Sequence, residues 1–149
     1  MKTLAHFRKL LLAIDLSPLS ESLLRRVQET CSDELDHLYV VHVMTNGLHD
    51  IDVKAVGNID DPHAQRLQDH KALKIRELLH KANLKIPTDR IFLVHGEPAS
   101  EIKKMANQIA ADLVIVGSHV KENDWMKLPG ATTNCVIQGI SSDVMAVKV

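Results

Sequence analysis

A chain of 149 residues, 45% apolar and 25% charged, has the composition of an ordinary folded domain and can bury about 70% of the surface its unfolded form exposes. Eighteen basic against nineteen acidic residues leave a formal charge of −1, so no global positive field draws it to nucleic acid. At 3% aromatic it also lacks the ring platforms on which unpaired bases stack, and its core must be built from Leu, Val, Ile and Ala.

Leu10-Leu11-Leu12-Ala13-Ile14, closed by Asp15, predicts a strand buried on both faces. The run is too short for a signal peptide or a membrane span. Ser17-Pro18 marks a helix start, with a hydroxyl to cap and proline in the first turn. Leu23, Leu24, Val27 and Cys31 then recur at helical spacing. Cys31 and Cys135 lie in neither a CxxC nor a zinc-ligand pattern. They read as reduced, buried thiols, so the expected setting is the cytoplasm.

Leu38 to Val43 predicts the second strand. Met44 to Asp61 has no clean period and carries Asn46-Gly47, Gly57-Asn58 and Asp60-Asp61-Pro62, the mark of a long loop. Asp61 and Pro62 open a helix whose buried face takes Ala64, Leu67, Ile75, Leu78, Leu79 and Ala82, with Asn83 or Pro87 ending it. Ile91 to His95, stopped by Gly96, is the third strand. Glu97-Pro98-Ala99-Ser100 opens a helix with Ala99, Ile102, Met105, Ala106 and Ile109 on one face. Asp112 to Val116 is a fourth strand ending at Gly117. Thr132 to Gly139 is a helix candidate, and Val144 to Val149 is the last strand. Strands alternating with helices imply a parallel sheet with right-handed crossovers and helices on both faces. No linker rich in Pro, Gly or Ser divides residues 1–149, so a single domain is expected.

Four segments, in order, resemble one family. They are Lys9 to Ser17, a first strand with an acidic turn; His42-Val43, the end of a second strand; Gly96-Glu97-Pro98-Ala99-Ser100-Glu101-Ile102; and Ala111 to His119. Together they look like a universal stress protein over essentially the full length. The resemblance implies a flavodoxin-like (adenine nucleotide alpha hydrolase-like) five-stranded parallel sheet and a homodimer, often made through the last strand. It further implies stress-linked cytosolic expression and, in some branches, ATP binding without dedicated catalytic apparatus. The dimer has its own physical basis: Val144 to Val149 would be an apolar edge with only Lys148 as a charged guard.

In the ATP-binding branch the fourth strand ends in glycine, two residues, glycine, nine residues, then glycine with Ser or Thr. The glycines let backbone N–H groups approach phosphate, and the hydroxyl and helix N-terminus complete an anion site. Here Gly117-Ser118-His119 is followed by Val120, where a β-branched side chain replaces the second glycine. Gly130 is correctly spaced, but Ala131 stands where the hydroxyl belongs, and Thr132 and Thr133 follow. Trp125-Met126-Lys127-Leu128 and Asp143-Val144-Met145 resemble the A-type branch, which lacks the full motif. The nucleoside end is better preserved. By resemblance, Asp15 stands where an acidic residue contacts the nucleoside, Val43 where a backbone contact to adenine is made, and Ala13 and Ile14 replace residues that flank that contact. Asp15 can equally cap the first helix with Ser17 and no ligand. The candidate crevice is therefore Ala13, Ile14, Asp15, Val43, Gly117, His119, Gly130, Ala131 and Thr132, for ATP or AMP, with no cofactor required.

His42, His95 and His119 lie at or near strand ends, but no HxH or HxxxH spacing supports a metal. Strand-end histidines commonly serve as hydrogen-bonding residues. No GxSxG, GxGxxG or Walker pattern occurs, and nothing assembles a nucleophile, base and oxyanion hole. The sequence leads to a non-enzymatic homodimer acting through protein partners it does not name, with nucleotide sensing as the alternative.

Overall fold

The computed structural model describes residues 8–16, 18–30, 37–44, 62–118 and 139–148. The His119, Gly130, Ala131 and Thr132 positions, the loop beyond Met44 and the helix expected from Thr132 lie outside them. Five strands are present: β1 (Leu10–Ile14), β2 (Leu38–Met44), β3 (Ile91–His95), β4 (Leu113–Ser118) and β5 (Asp143–Lys148). Three helices are described: α1 (Ser20–Thr30), α2 (Pro62–Lys81) and α3 (Pro98–Ile109). All strand pairs are parallel, and the sheet runs β3-β2-β1-β4-β5.

The apolar runs form strands because both of their faces are covered. Leu10, Leu12 and Ile14 join Leu38, Val40, Leu113 and Ile115 in one layer, against Leu23, Leu24 and Val27 of α1 and Ile75 and Leu79 of α2. Leu11, Val41, Val43, Val114 and Val116 face the other way, against Ala99, Ile102, Met105 and Ala106 of α3. This two-residue alternation is the strand period; with both sides sealed, side-chain chemistry is left to the strand ends. No helix among the described residues is long and apolar enough to cross a membrane.

Several element boundaries depart from the sequence expectation: β4 runs on through Gly117 to Ser118, and β5 begins at Asp143 rather than Val144. β4 starts at Leu113 because the Asp112 carboxylate accepts the backbone N–H groups of Arg8 and Lys9, at 2.7 and 3.0 Å. Asp112 N–H donates to the Lys9 carbonyl and its own carbonyl accepts from Asp143 N–H, while the Ser142 hydroxyl donates to the Ala111 carbonyl at 2.6 Å. The N-terminal ends of β1, β4 and β5 are thereby tied together. α1 begins at Ser20, since Pro18 and Leu19 form a turn after β1. β2 runs on through Met44, which the sequence reading placed in the loop.

Both later helices end alike. Asn83 and Ala110 take left-handed backbone conformations (φ 56° and 54°), and the next residues, Leu84 and Ala111, donate back to Leu79 and Ala106. This closure satisfies the last carbonyls of each helix.

Candidate ligand crevice

In an open parallel sheet the strand order reverses at one place, and the loops leaving the carboxyl ends part there to leave a crevice. In the order 3-2-1-4-5 that place lies between β1 and β4. Ala13 pairs in register with Val116 of β4 and Val41 of β2, and Ile14 pairs with His42. Asp15 follows directly and is exposed, while Gly117, the next residue of β4, is half-buried. Val43, one residue beyond His42, is buried in the α3 layer. Of the nine residues expected to form a crevice, Ala13, Ile14, Asp15, Val43 and Gly117 thus gather at the carboxyl ends of β1, β2 and β4.

The backbone turns sharply at the mouth. Leu16 has φ 59°, a conformation bulky L-residues avoid at a cost of about 1–2 kcal/mol. The twist lets Leu16 bury in the α1 layer while its neighbour Asp15 faces outward. Ser20, the first residue of α1, is itself buried and its hydroxyl donates to Asp15 Oδ1 at 3.0 Å. Asp15 is therefore tied to the first residue of α1 by a side-chain bond to Ser20; Ser17, its expected companion in capping, lies outside the described residues.

His42 is the other polar side chain buried among the described residues. Its Nδ1 lies 2.8 Å from the Ile14 carbonyl; because a carbonyl only accepts, Nδ1 carries the proton. Burial holds His42 below the ordinary histidine value of 6.5. Lys71 and Lys74 push the same way, while the Ile14 hydrogen bond and the Asp15 charge push upward. Sequence reasoning singled out His42 as a strand-end histidine; its partner depended on a register that spacing does not reveal.

Gly96 ends β3 with φ 150°, and a Cβ there would fall 2.7 Å from the Glu101 side chain. Glu97 then caps α3, accepting from the N–H groups of Ala99 and Ser100 at 3.2 and 2.8 Å. Hydrogen bonds from Ser100 chiefly hold its carboxyl below the ordinary 4.5. His95 is exposed at the end of β3, in register with Met44, whereas His42 is buried. Among the described residues no three His, Cys, Asp or Glu side chains are grouped to hold a metal ion.

The molecule is thus an α/β domain with a parallel sheet and an acidic residue presented at its switch point. The chain belongs to the universal stress protein family, whose family model matches residues 6–148. It is 28% identical over 146 residues to universal stress protein A homolog 1 of Coxiella burnetii (strain RSA 493 / Nine Mile phase I), covering 95% of this chain and 96% of that one. Among solved structures it is similar to hypothetical protein MJ0577, at TM-score 0.70 and 25% identity over 95% of this chain and 96% of that one. A universal stress protein in complex with cAMP shares the fold at TM-score 0.63 and 17% identity, covering 95% of this chain and 97% of that one. The Archaeoglobus fulgidus protein in complex with dAMP does so at TM-score 0.58 and 15% identity, covering 94% and 97%.

Proposed function

We propose that this chain is a non-enzymatic, cytoplasmic stress-response protein that acts as a homodimer through protein interaction or signalling. The observation that carries the reading is β5, the terminal strand of the sheet. Asp143 N–H bonds toward β4, to the Asp112 carbonyl. Alternate residues of a parallel strand turn both backbone groups to the same side, so Val144, Ala146 and Lys148 turn theirs outward. Val144 and Met145 are only half-buried, and an edge of this kind pairs readily with a second copy. Sedimentation at micromolar concentration tests it: a dimer is expected for the natural chain and a folded monomer for Ala146→Pro, which deletes an outward N–H. A monomeric natural chain refutes the reading.

A second reading, nucleotide sensing, is favoured by the residues gathered at the mouth of β1 and β4. By resemblance the nucleoside end is better preserved than the phosphate motif, which has Val120 and Ala131 in place of glycine and a hydroxyl residue. That pattern favours a ligand with one phosphate, AMP or cyclic AMP, over ATP. The fold relatives solved with cAMP and dAMP support the same class. Titration calorimetry with the three ligands tests it, and equal or tighter ATP binding refutes the ranking.

A further inference from the structure

The polar side chains buried among the described residues are Ser20 and His42, and both serve the two residues at the end of β1. Ser20 holds the Asp15 carboxylate, and His42 holds the Ile14 carbonyl. A strand needs no imidazole to be stable: valine or isoleucine would continue the apolar run of β2 at no desolvation cost. His42, the one titratable side chain buried in this layer among the described residues, lies against the residue that precedes the crevice carboxylate.

We propose that His42 is a positioning residue that makes the geometry of the crevice mouth proton-linked. Uncharged, it pins the end of β1 to β2 and presents Asp15; protonated, it favours an arrangement in which that end has moved away. The consequence for a ligand rests on the nucleotide reading: occupancy falls as the medium acidifies.

The surroundings set the direction. Lys71 and Lys74 of α2 repel a charged imidazole, and Asp15 after β1 attracts it. The α1 residues turned into this layer, Leu23, Leu24 and Val27, are apolar, as is Leu93, the β3 residue in register with His42. A cation in this niche loses its water to apolar walls and gains one exposed carboxylate in return. Both protonation states can donate to the Ile14 carbonyl, and although that bond favours the charged ring, it does not decide the balance. The unfavourable burial of the charge does, and it is relieved only when the imidazole reaches water.

The sign follows from linkage. His42 binds its proton less tightly in the packed arrangement than in the open one. Packing is therefore fully favoured above the ordinary value of 6.5 and loses ground as pH falls toward the lowered one. Cyclic AMP is a suitable probe, because its phosphodiester does not titrate in this range. Its affinity should fall by up to about tenfold per pH unit, the limit for one linked proton.

The test records amide and imidazole NMR spectra of the full chain from about pH 8 to about pH 5, with cyclic AMP affinity measured over the same range. The His42 ring and the Asp15 and Leu16 amides are expected to move with one shared midpoint below 6.5. His42→Asn keeps an N–H donor near the Nδ1 position without titrating; it should freeze those amides and flatten the affinity profile. The paired surface changes Lys71→Gln and Lys74→Gln should instead raise the midpoint, which keeps the test valid if His42→Asn does not fold. Amides that ignore the His42 titration, or that move equally in His42→Asn, overturn the proposal. So does an affinity that is flat or rises on acidification. Shared titration with no cyclic AMP binding at any pH supports the proton-linked mouth and overturns the nucleotide reading alone.

Discussion

Asp15 carries the sharpest prediction, because its structural and ligand-binding roles separate experimentally. Its carboxylate accepts a hydrogen bond from the buried Ser20 hydroxyl at 3.0 Å. A bond to a charged acceptor contributes about 1.5–3 kcal/mol. Asp15 is exposed, however, and water replaces the lost partner, so about 1 kcal/mol is expected for Ser20→Ala. For a chain near 150 residues this lowers Tm by about 2–4 °C. Asp15→Asn keeps an acceptor oxygen for Ser20 and should lose less than half as much. The two changes part on ligand. If Asp15 contacts a nucleoside hydroxyl, Asp15→Asn weakens AMP or cyclic AMP binding by about tenfold, some 1.4 kcal/mol, whereas Ser20→Ala, which keeps the carboxylate, weakens it less. Thermal denaturation and calorimetry on the three proteins decide the matter. If Asp15→Asn costs as much stability as Ser20→Ala and leaves ligand affinity unchanged, Asp15 is an anchor for α1 and the reasoning for a contact fails.

Further outcomes concern the helix ends and strand starts. Glu97→Ala removes the cap of α3 and should destabilise the protein by about 1 kcal/mol at neutral pH. Because its folded-state pKa is lowered, that contribution is present above 4.5 and disappears as pH falls through the lower value, so urea melts of the two proteins should converge in acid. Ala110→Gly relieves a left-handed φ at an exposed position and should stabilise by up to about 1 kcal/mol in the same melts. Asp112→Ala removes the acceptor for two backbone N–H groups; since these are exposed to water, the expected loss is about 1 kcal/mol, read as a lower denaturation midpoint at unchanged slope.

The strands were legible in the sequence because a run such as Leu10 to Ile14 or Ile91 to His95, bounded by polar residues, has few other uses in a chain with so few aromatics. Their alternation with helices also sufficed for a parallel sheet. What spacing could not supply was anything that depends on register across the sheet. Asp112 looked like the first residue of β4, yet its carboxylate is committed to Arg8 and Lys9, more than a hundred positions away. Ser17-Pro18 looked like a helix start, but left-handed Leu16 sends Pro18 and Leu19 into a turn and delays the helix to Ser20. At the crevice, Asp15 could be placed at a strand end from sequence and Gly117 close to one, although β4 continues to Ser118. The Ser20 and His42 hydrogen bonds behind them could not, since each requires knowing which strand or helix lies alongside.

Those hydrogen bonds change what the mouth of the sheet signifies. A domain selected for stability alone has no reason to hold a leucine at positive φ, to bury an imidazole in an aliphatic layer, or to sink a hydroxyl beneath an exposed carboxylate. The left-handed leucine and the buried imidazole each carry a local cost, even though Leu16 packs into the core, and all three features meet near the end of β1 and its partner on β2. Elsewhere the sheet interior is apolar on both faces, and its polar ties sit at the opposite, N-terminal ends of the strands, where Asp112 and Ser142 hold β1, β4 and β5 in line. One end of the sheet is thus fastened by polar ties, and the other carries a left-handed leucine and a buried imidazole. Local strain persists only where the surrounding structure over-determines it, and it concentrates at sites that bind or switch. In this chain the incomplete phosphate motif weakens the expectation of ATP, while the construction around Asp15 strengthens the expectation that the crevice itself is used.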